Sequence, residues 1–209
     1  MTTTGDAPGG APGDAAAPAR LVPLPPGEWP DTMRDALAAL RPPVSRHPFP
    51  SRDPGRPKGL NVLGMLALHP ELARAFHTFN GHVLFATSLS VRQRELVVLR
   101  VAALRRAEYE WRQHVVLAAD AGIDADEVAR VEAGPDAPGW SPLEAAIVRA
   151  VDELVADAEI GDATWAVLAA ELDEHQLMDL VFTVGAYDVL AMALKSFGIE
   201  LDDDLRPRD

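Results

Sequence analysis

The stretch Glu95-Leu-Val-Val-Leu-Arg-Val-Ala-Ala-Leu-Arg-Arg-Ala-Glu-Tyr109-Glu110-Trp111-Arg-Gln-His114 decides the interpretation of this chain. One face of a helix repeats at i, i+3, i+4 and i+7. By that spacing, Glu95 and the pair Glu110 and His114 lie on faces that are otherwise apolar. Their neighbours are Val98, Leu99 and Ala102 on one helix, and Trp111, Leu117 and Ala118 on the next. Buried ionisable groups are costly unless paired and concentrate at functional sites. The three side chains therefore form a candidate site between two helices.

Outward from this stretch, the pattern predicts an all-α protein of about eight helices and no strands. Ser90 with Gln93, and Ser141-Pro142 with Glu144, have the spacing of helix starts. The run 96–104 is apolar nearly all round except for Arg100, which predicts a central buried helix. Pro70 begins a helix that the pattern extends to about Thr87.

The ends of the domain are indicated by composition. Residues 1–27 are rich in Gly, Pro and Ala and hold few large apolar side chains. Such a segment buries too little surface to offset the entropy lost on ordering. We expect 1–27 to be a disordered or extended arm and 28–209 to be one helical domain. The proline-rich segment 41–58 is predicted to be a long loop.

Charge and hydropathy restrict the class of partner. The chain has 209 residues and a formal net charge of −13, which argues against nucleic acid or an anionic membrane as partner. It has no run of 18 apolar residues and no pattern of a secretory signal. We therefore expect a cytoplasmic protein. Its Ala-, Pro- and Arg-rich composition is typical of bacterial genomes of high GC content.

The sequence contains no cysteine. That excludes disulfides, thiolate metal sites and cysteine nucleophiles. Any chemistry that depends on a redox-active cysteine pair is excluded with them.

The order and spacing of these motifs resemble the carboxymuconolactone decarboxylase / AhpD-like superfamily. The peroxidase branch of that family has the pattern E-x11-C-x-x-C-x-x-x-H. Glu95 and His114 fall on its glutamate and histidine, whereas Ala107 and Glu110 replace the two cysteines. The resemblance covers roughly residues 29–203. Its other parts are Pro70-Glu-Leu-Ala-Arg-Ala-Phe76, Leu89-Ser-Val-Arg-Gln-Arg-Glu95-Leu, and Leu180-Val-Phe-Thr-Val-Gly185-Ala-Tyr187 through Gly198-Ile-Glu-Leu.

The resemblance implies an AhpD-like helical bundle of the cysteine-free branch, in which a glutamate often lies four residues before the histidine. It implies that His114, Glu110 and Glu95 are the catalytic residues of an enzyme that is not a thiol peroxidase. It also implies no cofactor and no metal, although two carboxylates and a histidine resemble a metal-ligand set.

Each candidate residue also has a structural interpretation. Glu95 fits a pairing with a helix N-terminus, and Glu110 with His114 fits an ordinary i,i+4 surface pair. Tyr109 and Trp111 are either core residues or substrate-binding ones. Arg100 either pairs with an acid across a subunit interface or binds a substrate carboxylate.

Two functions follow from these candidates. The first is a cofactor-independent, decarboxylase-like lyase that transfers protons on a small carbonyl, lactone or carboxylate-bearing substrate. A histidine suits proton delivery to carbon, one glutamate can hold its tautomer, and a glutamate in an apolar pocket can act as an acid. The alternative is a non-catalytic binding or scaffold protein. In either case the resemblance implies a homo-oligomer, a trimer or hexamer or else a dimer, and the apolar run 96–104 agrees because it needs covering on all sides.

Overall fold

The computed structural model of the protein describes residues 19–49 and 56–206. Within these ranges all regular secondary structure is helical. The prediction of an all-α fold is confirmed. The described residues form nine α-helices where about eight were expected. In chain order they are α1 Thr32–Ala38, α2 Leu60–Ala67, α3 Pro70–Gly81, α4 Val91–Arg105, α5 Glu108–Asp120, α6 Ala125–Ala133, α7 Pro142–Asp157, α8 Asp162–Glu171 and α9 Glu174–Phe197.

Local signals in the sequence fix the ends of the helices that carry the candidate site. The side chain of Ser90 accepts a hydrogen bond from the backbone of Gln93, and the Gln93 side chain accepts one from the backbone of Ser90. This capping box begins α4. Gly198 has φ 65° and ends α9, as expected for a glycine in the left-handed conformation.

Helix α4 is the centre of the fold. Every residue from Arg94 to Ala102 is buried, and α4 packs against α5, α6, α7 and α9 of the same chain. The predicted central helix is therefore confirmed. Residues 96–102 are covered from within the protomer, whereas Leu104 is 36% exposed. The expected homo-oligomer stays a prediction.

The helix predicted from Pro70 to about Thr87 is shorter than expected. It ends at Gly81, where a Cβ would come within 2.5 Å of the Leu40 carbonyl oxygen. A π-helical turn, His82–Ala86, follows it. The carbonyls of Leu84 and Phe85 accept hydrogen bonds from Arg94 and from the backbone of residues 46 and 47. These outside donors replace the partners that a longer helix would supply.

The described part of the N-terminal segment packs on the domain. The backbone N–H groups of Arg20 and Leu21 donate to the Phe197 carbonyl, and the backbone N–H of Leu24 donates to the Gly64 carbonyl. Val22 is exposed. Residues 1–18 of the predicted arm, and 50–55 of the proline-rich loop, lie outside the described residues.

Candidate functional site

A buried pair of Glu95 and His114 joins α4 to α5. Nδ1 of His114 lies 2.8 Å from Oε2 of Glu95. Glu95 is fully buried and His114 is 5% exposed. Because a carboxylate only accepts hydrogen bonds, Nδ1 carries the proton in this contact. In the neutral ring Nε2 is then the atom with a free lone pair, and within the described residues it makes no hydrogen bond.

Arg94 neutralises the other side of this carboxylate. Its Nε and one terminal nitrogen donate to Oε1 of Glu95 at 3.1 and 2.8 Å, and its other nitrogen donates to the Leu84 carbonyl. Burial would raise the pKa of the Glu95 carboxyl, but His114 and Arg94 together outweigh it and lower that pKa below its ordinary value. Glu95 is therefore held as a carboxylate between two donors.

Glu110, one turn before His114 on α5, is in the opposite condition. It is 2% exposed, and neither carboxyl oxygen has a hydrogen-bond partner among the described residues. Burial, followed by the nearby charge of Asp188, raises the pKa of Glu110 to about 8. An unpaired buried carboxyl is stable only with its proton bound, so Glu110 is a neutral carboxylic acid at neutral pH.

Tyr187 of α9 completes the cluster. Its ring lies edge-on to the His114 ring, with centroids 5.0 Å apart and planes at 90°. Burial, followed by the charge of Glu95, raises the pKa of the Tyr187 hydroxyl well above its usual range, and Glu110 adds to the effect. Tyr187 thus lies close to both Glu95 and Glu110, and its ring packs against one side of the His114 ring.

Glu110 also lies near an ion pair that joins α4 to α9. The guanidinium of Arg105 binds both carboxylate oxygens of Asp188, the second at 3.0 Å. Asp188 follows Tyr187 in the sequence and keeps a negative charge close to Glu110. This charge further opposes ionisation of Glu110.

The sequence of this stretch matches a known family. Residues 70–153 match the family model described as the carboxymuconolactone decarboxylase family. The predicted family resemblance is confirmed. The matched segment contains Glu95, Glu110 and His114, and Tyr187 lies beyond it. No curated protein matches the chain.

Solved structures show that the fold is AhpD-like. An uncharacterised peroxidase-related protein from Silicibacter sp. aligns with TM-score 0.64 and 16% identity, over 79% of this chain and 95% of its own. The AhpD core protein from Ralstonia eutropha gives TM-score 0.62 and 18% identity over 78% and 95%. A protein of unknown function from Agrobacterium tumefaciens, described as a putative antioxidant defence protein AhpD, gives 0.61 and 18% over 66% and 94%. At these identities the likeness concerns the fold alone.

The three residues expected to bind substrate, Tyr109, Trp111 and Arg100, make contacts with other parts of the chain. The Tyr109 hydroxyl donates to Oδ2 of Asp202 at 2.7 Å. The Tyr109 ring packs in the core between α2 and the end of α9. Trp111 is half-buried and packs beside Leu96 and Ala118. Both residues therefore have structural neighbours that account for their positions in this carboxymuconolactone decarboxylase-like segment.

Arg100 is engaged within the protomer. Its Nε and one terminal nitrogen donate to the carboxylate of Asp152 at 2.5 and 2.8 Å. Its remaining nitrogen donates to the carbonyls of Val131 and Glu132 at 2.9 Å each, which closes the last turn of α6. Four of the five N–H groups of Arg100 are engaged in these contacts, which join α4, α6 and α7.

Arg94 and Tyr187 did not emerge from helical spacing as members of the site. Consecutive residues on a helix do not face each other, so Arg94 reaches Glu95 only because its long side chain curls back. Tyr187 lies 73 positions after His114 by their residue numbers, with core-like spacing to Val184 and Ala191. An aromatic residue at such spacing is ordinary in a core helix, and only the fold places it against His114.

The site is closed in the protomer. A groove of about 550 Å³ lies between the start of α7 and α8 and is lined by Pro142, Leu143 and Val167, among others. A second one, of about 320 Å³, lies between Asp35, Ala38, Ala39 and Arg74. Neither of these two grooves contains Glu95, Glu110 or His114. Because these three residues expose at most 5% of their area, a ligand reaches them only if the surrounding side chains move.

Proposed function

We propose that this protein is a cofactor-independent, decarboxylase-like lyase that transfers protons on a small carbonyl, lactone or carboxylate-bearing substrate. The observation that supports this most strongly is the contrast between the two glutamates. One is held as a carboxylate against His114, and the other is a neutral acid with no hydrogen-bond partner in the described part of the chain. Pairs of ionisable groups with opposite environments are typical of acid and base assignments.

In the proposed reaction, Nε2 of His114 is the base and Glu110 the acid. Nε2 accepts a proton from the carbon next to the substrate carbonyl, and the electron pair of that C–H bond moves into an enolate. Glu110 donates its proton to the enolate oxygen. Glu95 holds the ring tautomer and stabilises the imidazolium that forms. The imidazolium then returns the proton to carbon, and Glu110 recovers its own from the oxygen.

Decarboxylation uses the same groups in a different order. The bond to the carboxylate carbon breaks, CO2 leaves, and its bonding pair forms the enolate. His114, protonated at the start, then delivers the proton to carbon while Glu110 stabilises the oxygen by hydrogen bonding. Isomerisation and dehydration through an enol draw on the same side chains.

Solvent deuterium exchange tests the proposal without knowledge of the natural substrate. β-Keto acids and unsaturated lactones are incubated with protein in D2O, and loss of the α-proton signal and CO2 release are followed by NMR. We expect exchange or CO2 release that falls by about 10²-fold or more in His114→Gln and in Glu110→Gln. Full activity in His114→Gln would contradict the proposed chemistry.

A second candidate is a non-catalytic binding or scaffold protein that keeps the fold, and the closed site favours it, since neither described pocket reaches the cluster. The two functions differ in what Glu110→Leu does. In a scaffold the apolar replacement stabilises the fold and leaves function intact. In an enzyme it stabilises the fold and abolishes turnover, because active sites commonly lower stability.

A further inference from the structure

Helix α9 has an uncovered apolar face opposite the side that packs on α4. The face is formed by Met178, Val181, Phe182, Val189 and Met192 around Gly185, and these five side chains expose between 38% and 59% of their area. The spacings are those of one helical stripe. The stripe is joined by Phe79 of α3, whose ring lies edge-on to that of Phe182 with centroids 6.1 Å apart.

The stripe is nearly symmetric about Gly185. Methionine lies seven residues before and seven after it, at Met178 and Met192, and valine lies four before and four after, at Val181 and Val189. If a second copy of α9 packs antiparallel across a two-fold axis at Gly185, Met178 of each copy faces Met192 of the other. Val181 of each copy likewise faces Val189 of the other. A self-complementary surface of this kind is what an isologous interface requires.

Gly185 itself has no function in the isolated chain. A Cβ added there would meet nothing within 4 Å, and its φ is not in the left-handed region. Glycine inside a helix is less stable than alanine. The packing within the chain does not account for this glycine, whereas close approach of two helix backbones at the symmetry axis does.

The ends of the stripe carry opposite charges. Exposed Glu174 lies eleven residues before Gly185, and exposed Lys195 lies ten residues after it. An antiparallel pair brings each acidic end to the basic end of the partner, and the two helix dipoles also oppose each other favourably. A parallel pair would bring like charges together at both ends.

With Phe79, the exposed apolar residues of this stripe number six, and each exposes at least 36% of its area. A contiguous exposed apolar patch commonly marks a protein–protein or membrane contact. From the symmetry, the unexplained glycine and the charges, we propose that the protein forms a two-fold dimer through antiparallel α9 helices, with Gly185 at the axis.

Helix α9 is also long and apolar enough, by length and composition, to cross a membrane. Its other face, however, supplies Leu180, Val184 and Tyr187 to the main core. A core helix passes the same test of length and composition. Membrane binding is therefore the competing outcome of the experiments below.

Cysteine cross-linking tests the geometry directly, because the chain has no cysteine of its own. Met178 and Met192 are 14 residues apart, about 21 Å along the helix at 1.5 Å per residue. Under mild oxidation we expect the double variant Met178→Cys/Met192→Cys to form covalent dimers, and each single variant to form few. The Gly185→Cys variant alone is expected to cross-link across the axis. Cross-linking of either methionine single variant as efficient as that of the double variant, or none in any variant, would overturn the proposal.

Sedimentation equilibrium checks the same surface without cysteines. We expect a wild-type dimer whose dissociation constant rises by roughly tenfold or more in Val189→Glu and in Gly185→Leu. The same valine-to-glutamate change at exposed Val167 on α8 is the matched control and leaves the dimer intact. A monomeric wild type would overturn the proposal. Binding of a monomer to phosphatidylglycerol vesicles, lost in Val189→Glu, would assign the stripe to membrane instead.

Discussion

Oε2 of Glu95 and Nδ1 of His114 lie 2.8 Å apart, across the contact between α4 and α5. The other oxygen of Glu95 binds Arg94, so one buried carboxylate connects a permanent cation to a titratable ring. This arrangement fixes the ring so that Nε2 is the reactive nitrogen. It also leaves Glu110, one turn away, as the group in the cluster with no partner among the described residues.

Glu110 makes the stability of the protein depend on pH. The pKa of Glu110 in the folded state is about 8, against an ordinary value of 4.5 for a glutamate. Below pH 4.5 both states hold the proton; above it the unfolded chain releases the proton first, so stability falls as pH rises through 8. We expect the free energy of unfolding to fall by roughly 3 kcal/mol more between pH 5 and 8 in wild type than in Glu110→Gln. Urea titrations at several pH values measure this, and identical pH profiles would contradict it.

Removing the charge of Glu95 destabilises the fold because the Arg94 guanidinium is then buried without a negatively charged partner. We expect Glu95→Gln to lower the free energy of unfolding by about 3–5 kcal/mol. The matched double variant Arg94→Met/Glu95→Gln removes both charges and is expected to recover much of that loss. Chemical denaturation of the three proteins tests this, and a double variant less stable than the single one would refute the buried-pair account.

Arg100 is predicted to act on stability and not on substrate binding. Lysine cannot reproduce the contacts that Arg100 makes to Asp152 and to the last turn of α6. Arg100→Lys is expected to cost about 1–3 kcal/mol. Once a substrate is known, its KM is expected to stay unchanged. A raised KM with unchanged stability would restore the substrate-binding role.

The ring of Tyr187, and not its hydroxyl, is expected to orient His114. Tyr187→Phe keeps the edge-on contact, whereas Tyr187→Leu removes it. We expect the ring-proton NMR shifts of His114 to change strongly in the leucine variant and slightly in the phenylalanine variant. Equal changes in both variants would show that the hydroxyl is the group that matters.

Much of the site could be predicted from local sequence. The helix faces of Glu95, Glu110 and His114 follow from the 3.6-residue repeat, and all three are buried. The ends of α4 follow from Ser90 and from the polar residues after Leu104. These features depend on contacts within one or two turns, which a sequence displays directly.

The division of roles between the glutamates could not be read from spacing. Glu110 is the i,i+4 neighbour of His114, yet the histidine binds Glu95, 19 positions away on another helix. Spacing also overlooked Tyr187, and it did not identify Asp152 of the same chain as the acid that pairs with Arg100. Each of these depends on how separate helices pack, which the 3.6-residue repeat does not encode.

The protonation state of Glu110 tests the central claim most directly. Infrared difference spectroscopy of wild type against Glu110→Gln isolates the carbonyl stretch of this carboxyl group across pH. We predict a protonated carboxylic acid band at pH 7 that is absent in Glu110→Gln and disappears near pH 8. A Glu110 already ionised at pH 7, with a pKa near the ordinary glutamate value of 4.5, would contradict the assignment of this residue as the acid.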